Sequence, residues 1–169
     1  NQNKTITVKL AEAGVEFTAG QWGPQVTGGN GKYLSVDFFS EDEYLAAGTY
    51  TPSADPTKPK KGEYVIGYEV PYDYTQWGGD KGVNIYGAAW HTVDATATPI
   101  DATEMITTGN ITVAITDGVY TITVDNNEIY AQYVGEIPAL LAPAVPADPW
   151  ELAGDVVLIE TEGISMSMT

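Results

Sequence analysis

The 169-residue chain contains no cysteine, which excludes disulfides, thiolate chemistry and cysteine-based zinc sites. Positive charge is scarce. Seven Lys and Arg stand against 23 Asp and Glu, a formal net charge of −16. Such a surface repels phosphate backbones and anionic lipid, so nucleic acid is not an expected partner. It gives solubility and suits neutral or cationic ligands. Long apolar runs are also missing: the longest, Ile137 to Val145, is broken by prolines and cannot span a bilayer. Histidine occurs once, as His91, and no serine sits in a Gly-x-Ser-x-Gly elbow. No signal peptide is visible. The chain opens at Asn1 on a polar leader, and an export signal removed upstream is compatible with that start.

What is present favours strands. Hydrophobic residues make up 43% of the chain, enough for a packed core and against disorder. Thr, Val, Ile and Tyr are plentiful, and 18 Gly with 10 Pro suit many tight turns. The clearest stretch is Gly109 to Gly135. Ile111, Val113 and Ile115 alternate with Thr112 and Ala114; Asp117-Gly118 follows; Tyr120, Ile122 and Val124 then alternate with Thr121 and Thr123. Alternation broken by Asp-Gly predicts a hairpin, because a type I′ turn needs positive φ at both central residues. With Ile129 to Val134 it becomes a three-stranded meander.

Further strands are expected over Thr5–Leu10, Val15–Thr18, Lys32–Ser40, Gly48–Thr51, Gly62–Val70, Val83–Trp90, Glu104–Thr108, Asp155–Thr161 and Ile164–Met168. Gln21–Gly31, Ser53–Lys61, Pro71–Gly82 and Thr92–Pro99 read as loops. A proline-rich crossing at 138–149 precedes the last strand. The expected architecture is one all-β domain over 1–169: a two-sheet antiparallel sandwich of jelly-roll type or, alternatively, a closed β-barrel.

Gly31-Lys32-Tyr33-Leu34-Ser35-Val36-Asp37-Phe38-Phe39-Ser40, Ala47-Gly48-Thr49-Tyr50-Thr51 and Gly62-Glu63-Tyr64-Val65-Ile66-Gly67 carry a resemblance. So do Gly109 to Val113, Asp117 to Ile122 and Tyr133 to Ile137. In that order they resemble an all-β domain of exported lipoproteins from gut Bacteroidetes, over positions 5 to 137. The resemblance implies a cell-envelope or outer-membrane surface location, with a lipid anchor on a cysteine upstream of this chain. It carries over no catalytic residue.

Candidate chemistry is sparse. A triad on His91 would need a serine brought in by folding, such as Ser35 or Ser40. Among 23 acids some pair always lies at a glycosidase separation; Glu63, Glu69, Asp73 and Asp80 lie nearest the aromatic loop, but nothing marks one pair out. Asp125-Asn126-Asn127-Glu128 and Glu41-Asp42-Glu43 are oxygen-rich, yet neither has the calcium-loop pattern, and both read as turns. Asn3-Lys4-Thr5 and Asn110-Ile111-Thr112 fit an N-glycosylation pattern. No metal, cofactor or catalytic residue is assigned.

The aromatics give the strongest signal. Tyr72, Tyr74 and Trp77 crowd one polar stretch, Trp90 follows, and Trp22 lies in another glycine-rich stretch. Flat rings in polar loops can stack against a sugar's C–H face, with Asp73, Gln76 and Asp80 placed to hold hydroxyls. The competing reading packs these rings into the core. The expected function is non-catalytic binding of a neutral glycan. The alternatives are a structural adhesin or surface-assembly subunit, and an acid-pair glycoside hydrolase.

Overall fold

A computed structural model describes residues 4–20, 23–40, 42, 44–94, 102–126, 129–137, 140–142 and 165–167. Its strands are β1 (Lys4–Ala11), β2 (Val15–Gly20), β3 (Gly23–Gly29), β4 (Gly31–Ser40), β5 (Gly48–Pro52), β6 (Glu63–Tyr64), β7 (Tyr68–Asp73), β8 (Lys81–Tyr86), β9 (Ala89–Val93), β10 (Ala102–Met105), β11 (Asn110–Thr116), β12 (Val119–Asp125), β13 (Tyr130–Glu136) and β14 (Ser165–Ser167). The described residues contain no α-helix, and a 3-10 turn spans Thr75–Trp77. Among these residues no helix is long and apolar enough to cross a membrane. Trp22, the expected strand at Asp155–Thr161 and most of the 138–149 crossing lie outside the described residues.

Ten strands form one sheet in the order β10-β9-β4-β6-β5-β11-β12-β13, with β1 on β4 and β14 parallel to β1; β2-β3 and β7-β8 are separate two-stranded ribbons. The large sheet curls strongly, into a half-barrel, so that its two arms share one core. Alternation decides which side chains go inside. Ile6, Val8 and Leu10 of β1 meet Leu34, Val36 and Phe38 of β4. They join Ile111 and Val113 of β11 and Tyr120, Ile122 and Val124 of β12 in the same buried cluster. Phe38 is fully buried and meets the Tyr50 ring edge-on at 4.8 Å.

The meander is as the sequence predicts. β11 pairs with β12 from Asn110↔Asp125 to Thr116↔Val119, and β12 with β13 from Val119↔Glu136 to Asp125↔Tyr130. Asp117 and Gly118 both take positive φ, 51° and 81°, as the type I′ turn demands.

One end of the half-barrel is closed by Leu45 and Leu140, both buried. The Leu45 N–H donates to the Leu140 carbonyl at 3.0 Å. The hydroxyl of fully buried Tyr120 lies 2.6 Å from that carbonyl and 3.0 Å from the Leu45 carbonyl. Burial, with a smaller effect of Tyr50, pushes this phenol up to about 12. Tyr120→Phe keeps the ring and strips the donor from two buried carbonyls. We expect it to cost about 1–2 kcal/mol in urea denaturation, with unchanged strand content by circular dichroism.

Two expectations need correction. Gln21–Gly31 is not a loop: Gly23–Gly29 pairs with β2, with a bulge between Glu16 and Phe17. Its glycines give no alternation to read, but Val26 of β3 and Phe17 of β2 pack on the small buried cluster of Val15, Tyr33 and Val93. Pro71–Gly82 is not a long loop either, because Pro71 pairs opposite Val83 inside the β7–β8 ribbon. Proline is tolerated there since a strand at a sheet edge has N–H groups with no ladder partner to lose.

The expected strands Gly62–Val70 and Val83–Trp90 are each cut in two, at Val65–Gly67 and at Gly87–Ala88. This cut builds a fork. β1 runs along the whole of one edge of β4; the other edge is shared by β9 at Gly31–Ser35 and by β6 at Phe38. Between them Val65 N–H donates to the Asp37 carbonyl (2.8 Å), and Ala88 N–H to that of Val65 (2.9 Å). Gly67 N–H donates to the Ile106 carbonyl, and Ile106 N–H to that of Ala88, each at 2.9 Å. The β7–β8 ribbon springs from this clamped base.

Candidate functional site

The ribbon register sets Tyr68 opposite Tyr86, Tyr72 opposite Gly82 and Asp73 opposite Lys81. Tyr68 and Tyr86 stack at its base with centroids 5.7 Å apart. Toward the tip, the Tyr72 ring lies over Gly82, where a Cβ would sit 2.8 Å from the Tyr72 hydroxyl. The next ring, Tyr74, stacks on Tyr72 at 5.4 Å and 30°, and Trp77 follows at 6.3 Å and 44°. Three rings therefore form a continuous, gently turning strip. Trp77 is 73% exposed and Tyr74 51%.

The tip is held by its own backbone. Tyr74 N–H donates to the Asp80 carbonyl at 2.8 Å, and Trp77 N–H to the Tyr74 carbonyl at 2.9 Å. Asp73 Oδ1 accepts the Thr75 hydroxyl at 2.6 Å and the Thr75 N–H at 2.9 Å. These two bonds hold the exposed Asp73 carboxyl below the usual carboxylate range. Asp73 is thus first a turn-former, with one carboxylate oxygen engaged. Gln76 and Asp80 are exposed beside the strip.

The expected site residues do not all come together. Tyr72, Asp73, Tyr74, Gln76, Trp77 and Asp80 share the ribbon tip. Trp90 is elsewhere: half-buried, it packs against the main core, with the Lys32 ammonium 5.7 Å from its ring. It lines a groove of about 470 Å³ with Leu34, Ile122, Tyr130 and Tyr133. Trp22 lies outside the described residues.

Across the sheet from Trp90 is a cleft the sequence does not announce. His91 is 8% exposed and stacks on Tyr33 at 4.4 Å and 16°. Its Nδ1 lies 2.9 Å from Thr103 Oγ1. Burial, aided by the charge of Lys9, lowers the imidazole to about 4, so the ring is neutral at pH 7. Ser35 lines the same cleft, but no hydrogen bond joins it to His91 among the described residues, so no charge-relay pair forms. The other triad candidate, Ser40, is committed to a turn: its hydroxyl donates to the Tyr44 carbonyl and accepts the Asp42 N–H. Of the acids nearest the ribbon, Glu63 Oε2 accepts the Lys60 N–H at 2.7 Å and Asp73 caps its own turn. Among the described residues no group of three or more His, Asp or Glu is placed to hold a metal ion.

The signal for the cleft was partial. Strand alternation puts Tyr33, Ser35 and Asp37 on one face of β4. That Lys9, His91 and Thr103 share this face depends on pairings between strands far apart in sequence. Set against family models, curated proteins and solved structures, the chain matches none.

Proposed function

We propose that the protein is a non-catalytic binding domain that holds a neutral glycan on the aromatic strip of the β7–β8 ribbon. The observation that carries this reading is Trp77, 73% exposed at the end of a strip continued by Tyr74 and Tyr72. An indole left in water forgoes roughly 2 kcal/mol of burial, and its place on a backbone-braced tip makes that surface ready for a ligand. Rings of two χ angles lose little entropy on binding. Gln76 and Asp80 supply polar contacts at the strip's edge. The net charge of −16 favours a neutral ligand over an anionic one.

The same reading places the domain at the cell envelope, as the lipoprotein resemblance implies, with an anchor upstream. It also takes the two arms of the curled sheet as the halves of a jelly-roll-like sandwich, from which the ribbon projects.

The test is a glycan array followed by calorimetry on the glycans that bind. Trp77→Ala and Tyr74→Ala are each expected to weaken binding about tenfold or more, as loss of one stacking ring should. Both should keep the stability of the parent within about 0.5 kcal/mol, because the side chains are exposed. Unchanged glycan binding in both variants would end this reading.

A further inference from the structure

β13 is the last strand of the large sheet, and among the described residues it pairs with β12 alone. The hairpin before it fixes which of its backbone groups point away from β12. A two-residue turn closes on a hydrogen-bonded pair, here Thr116 with Val119. Alternation then turns the backbone groups of Tyr120, Ile122 and Val124 toward β13, opposite Gly135, Tyr133 and Ala131. The Asn126 N–H, donated to the Ile129 carbonyl at 3.2 Å, continues the same phase. The N–H and C=O groups of Tyr130, Gln132, Val134 and Glu136 therefore face outward along the edge.

No device blunts this edge. β13 has no lysine, no proline and no shift of register along β12. Tyr130 and Val134 stand exposed on its outer face. The groove of about 470 Å³ beside Trp90 runs along the same edge, because successive residues from Tyr130 to Tyr133 line it and both faces of β13 contribute. Its floor is Leu10 of β1, Leu34 of β4 and Ile122 of β12, all members of the main core cluster. The polar side chains around it are already engaged. Glu12 Oε2 accepts the Lys32 N–H at 2.9 Å, the Lys32 ammonium sits 5.7 Å from the Trp90 ring, and Gln132 Nε2 donates to Thr123 Oγ1 at 3.1 Å. The groove thus offers ladder backbone on one side and apolar surface below. An extended peptide meets both at once: its backbone continues the sheet and its alternate side chains enter the groove.

We propose that β13 accepts an extended segment of a partner protein as an added strand, with apolar residues at every second position and no acidic residue. Aliphatic side chains on one face of that segment settle over Leu10, Leu34 and Ile122. β-Branched ones on the other face lie beside Tyr130 and Val134. Charge sets the exclusion. Glu12 lines the groove, Glu136 ends the edge and the chain carries −16, which repels an acidic strand. A second copy of this chain would bring the same charge and is disfavoured as the donor. The aromatic strip of the ribbon takes no part, so the proposal stands independently of the glycan reading.

The test is amide exchange, followed by NMR on the full chain, with the capped peptide Lys-Val-Thr-Val-Thr-Val-Lys as probe. In the free chain the Tyr130, Gln132, Val134 and Glu136 amides should exchange fast while Ala131 and Gly135 stay protected. Peptide should slow the fast set about tenfold or more. Two N-methylated peptides, one blocked at its valines and one at its threonines and lysines, test the ladder: one should bind about tenfold more weakly and the other as the parent does. The peptide with glutamate for lysine should also bind more weakly. The double variant Tyr130→Lys, Val134→Lys, altered only at exposed side chains, should keep its strand content and lose about tenfold in binding. Fast-set amides already protected in the dilute free chain would show the edge to be covered from within, and protection that grows with protein concentration alone would assign it to a second copy. Either result would overturn the proposal, as would exchange unaffected by the peptide or equal binding of both N-methylated forms.

Discussion

Gly87→Ala is expected to remove about 3–4 kcal/mol of folding stability. Gly87 stands at the fork where the β7–β8 ribbon leaves the sheet. Its φ is +75°, and a Cβ there would press on the Ile66 carbonyl oxygen and sit 2.9 Å from both the Ile66 carbonyl carbon and the Val65 oxygen. The obstacles are backbone, and that backbone is pinned: Val65 receives the Ala88 N–H, and Ala88 in turn receives the Ile106 N–H. Nothing there can swing aside as a long side chain would. Gly78 at the ribbon tip is the control. It has nearly the same φ, +79°, but nothing within 4 Å of its would-be Cβ, so Gly78→Ala should cost only about 1 kcal/mol. Urea denaturation of the two variants separates strain at a fork from strain in the open. Equal losses would show that the crossing of Val65–Gly67 with Gly87–Ala88 is not the tight junction described.

That contrast also marks what the sequence could and could not reveal. The meander was legible because its information is local: Asp117-Gly118 names the turn, and alternating Ile, Val and Thr on either side name the faces. The fork was not. Tyr64, Ile66, Tyr68 and Val70 alternate without a break through the point where β6 ends and β7 begins, so the stretch reads as one strand. Its interruption depends on Ile106, about forty residues away, which receives the Gly67 N–H.

The candidate sites divide the same way. Trp77 could be singled out because Gly78-Gly79 beside it leaves little for the ring to pack on. Trp90 could not be told from it by composition, although the alternation Ala89-Trp90-His91 assigns the indole and the imidazole to opposite faces. Only the pairing of Leu34 with Trp90 and Tyr33 with His91 shows which face is the core. The cleft around His91 was hidden further, since β1, β4, β8, β9 and β10 each supply part of it.

His91 gives that cleft a measurable signature in acid. Its imidazole titrates near 4 in the folded protein, chiefly through burial and secondarily through Lys9, against about 6.5 when unfolded. Between those values the unfolded chain binds a proton that the folded chain refuses. The neutral ring therefore contributes stability that is complete above about pH 6.5 and is lost as pH falls through the folded value near 4. A fully dry site would make the swing roughly 3 kcal/mol; solvent reaching the ring through the cleft reduces it to about 2. Across the same range the mutual repulsion of 23 acidic residues eases as the sequence pI of 4.1 is approached, which acts in the opposite direction. The comparison must therefore be with His91→Phe, which preserves a ring against Tyr33 and removes the titration. From pH 7 to pH 4.5 the parent should lose about 2 kcal/mol more than the variant, read as the change in their difference in urea denaturation. Parallel pH profiles would show that the imidazole is not held neutral between Tyr33, Thr103 and the Lys9 ammonium, and would leave the cleft open enough to solvate a charged ring.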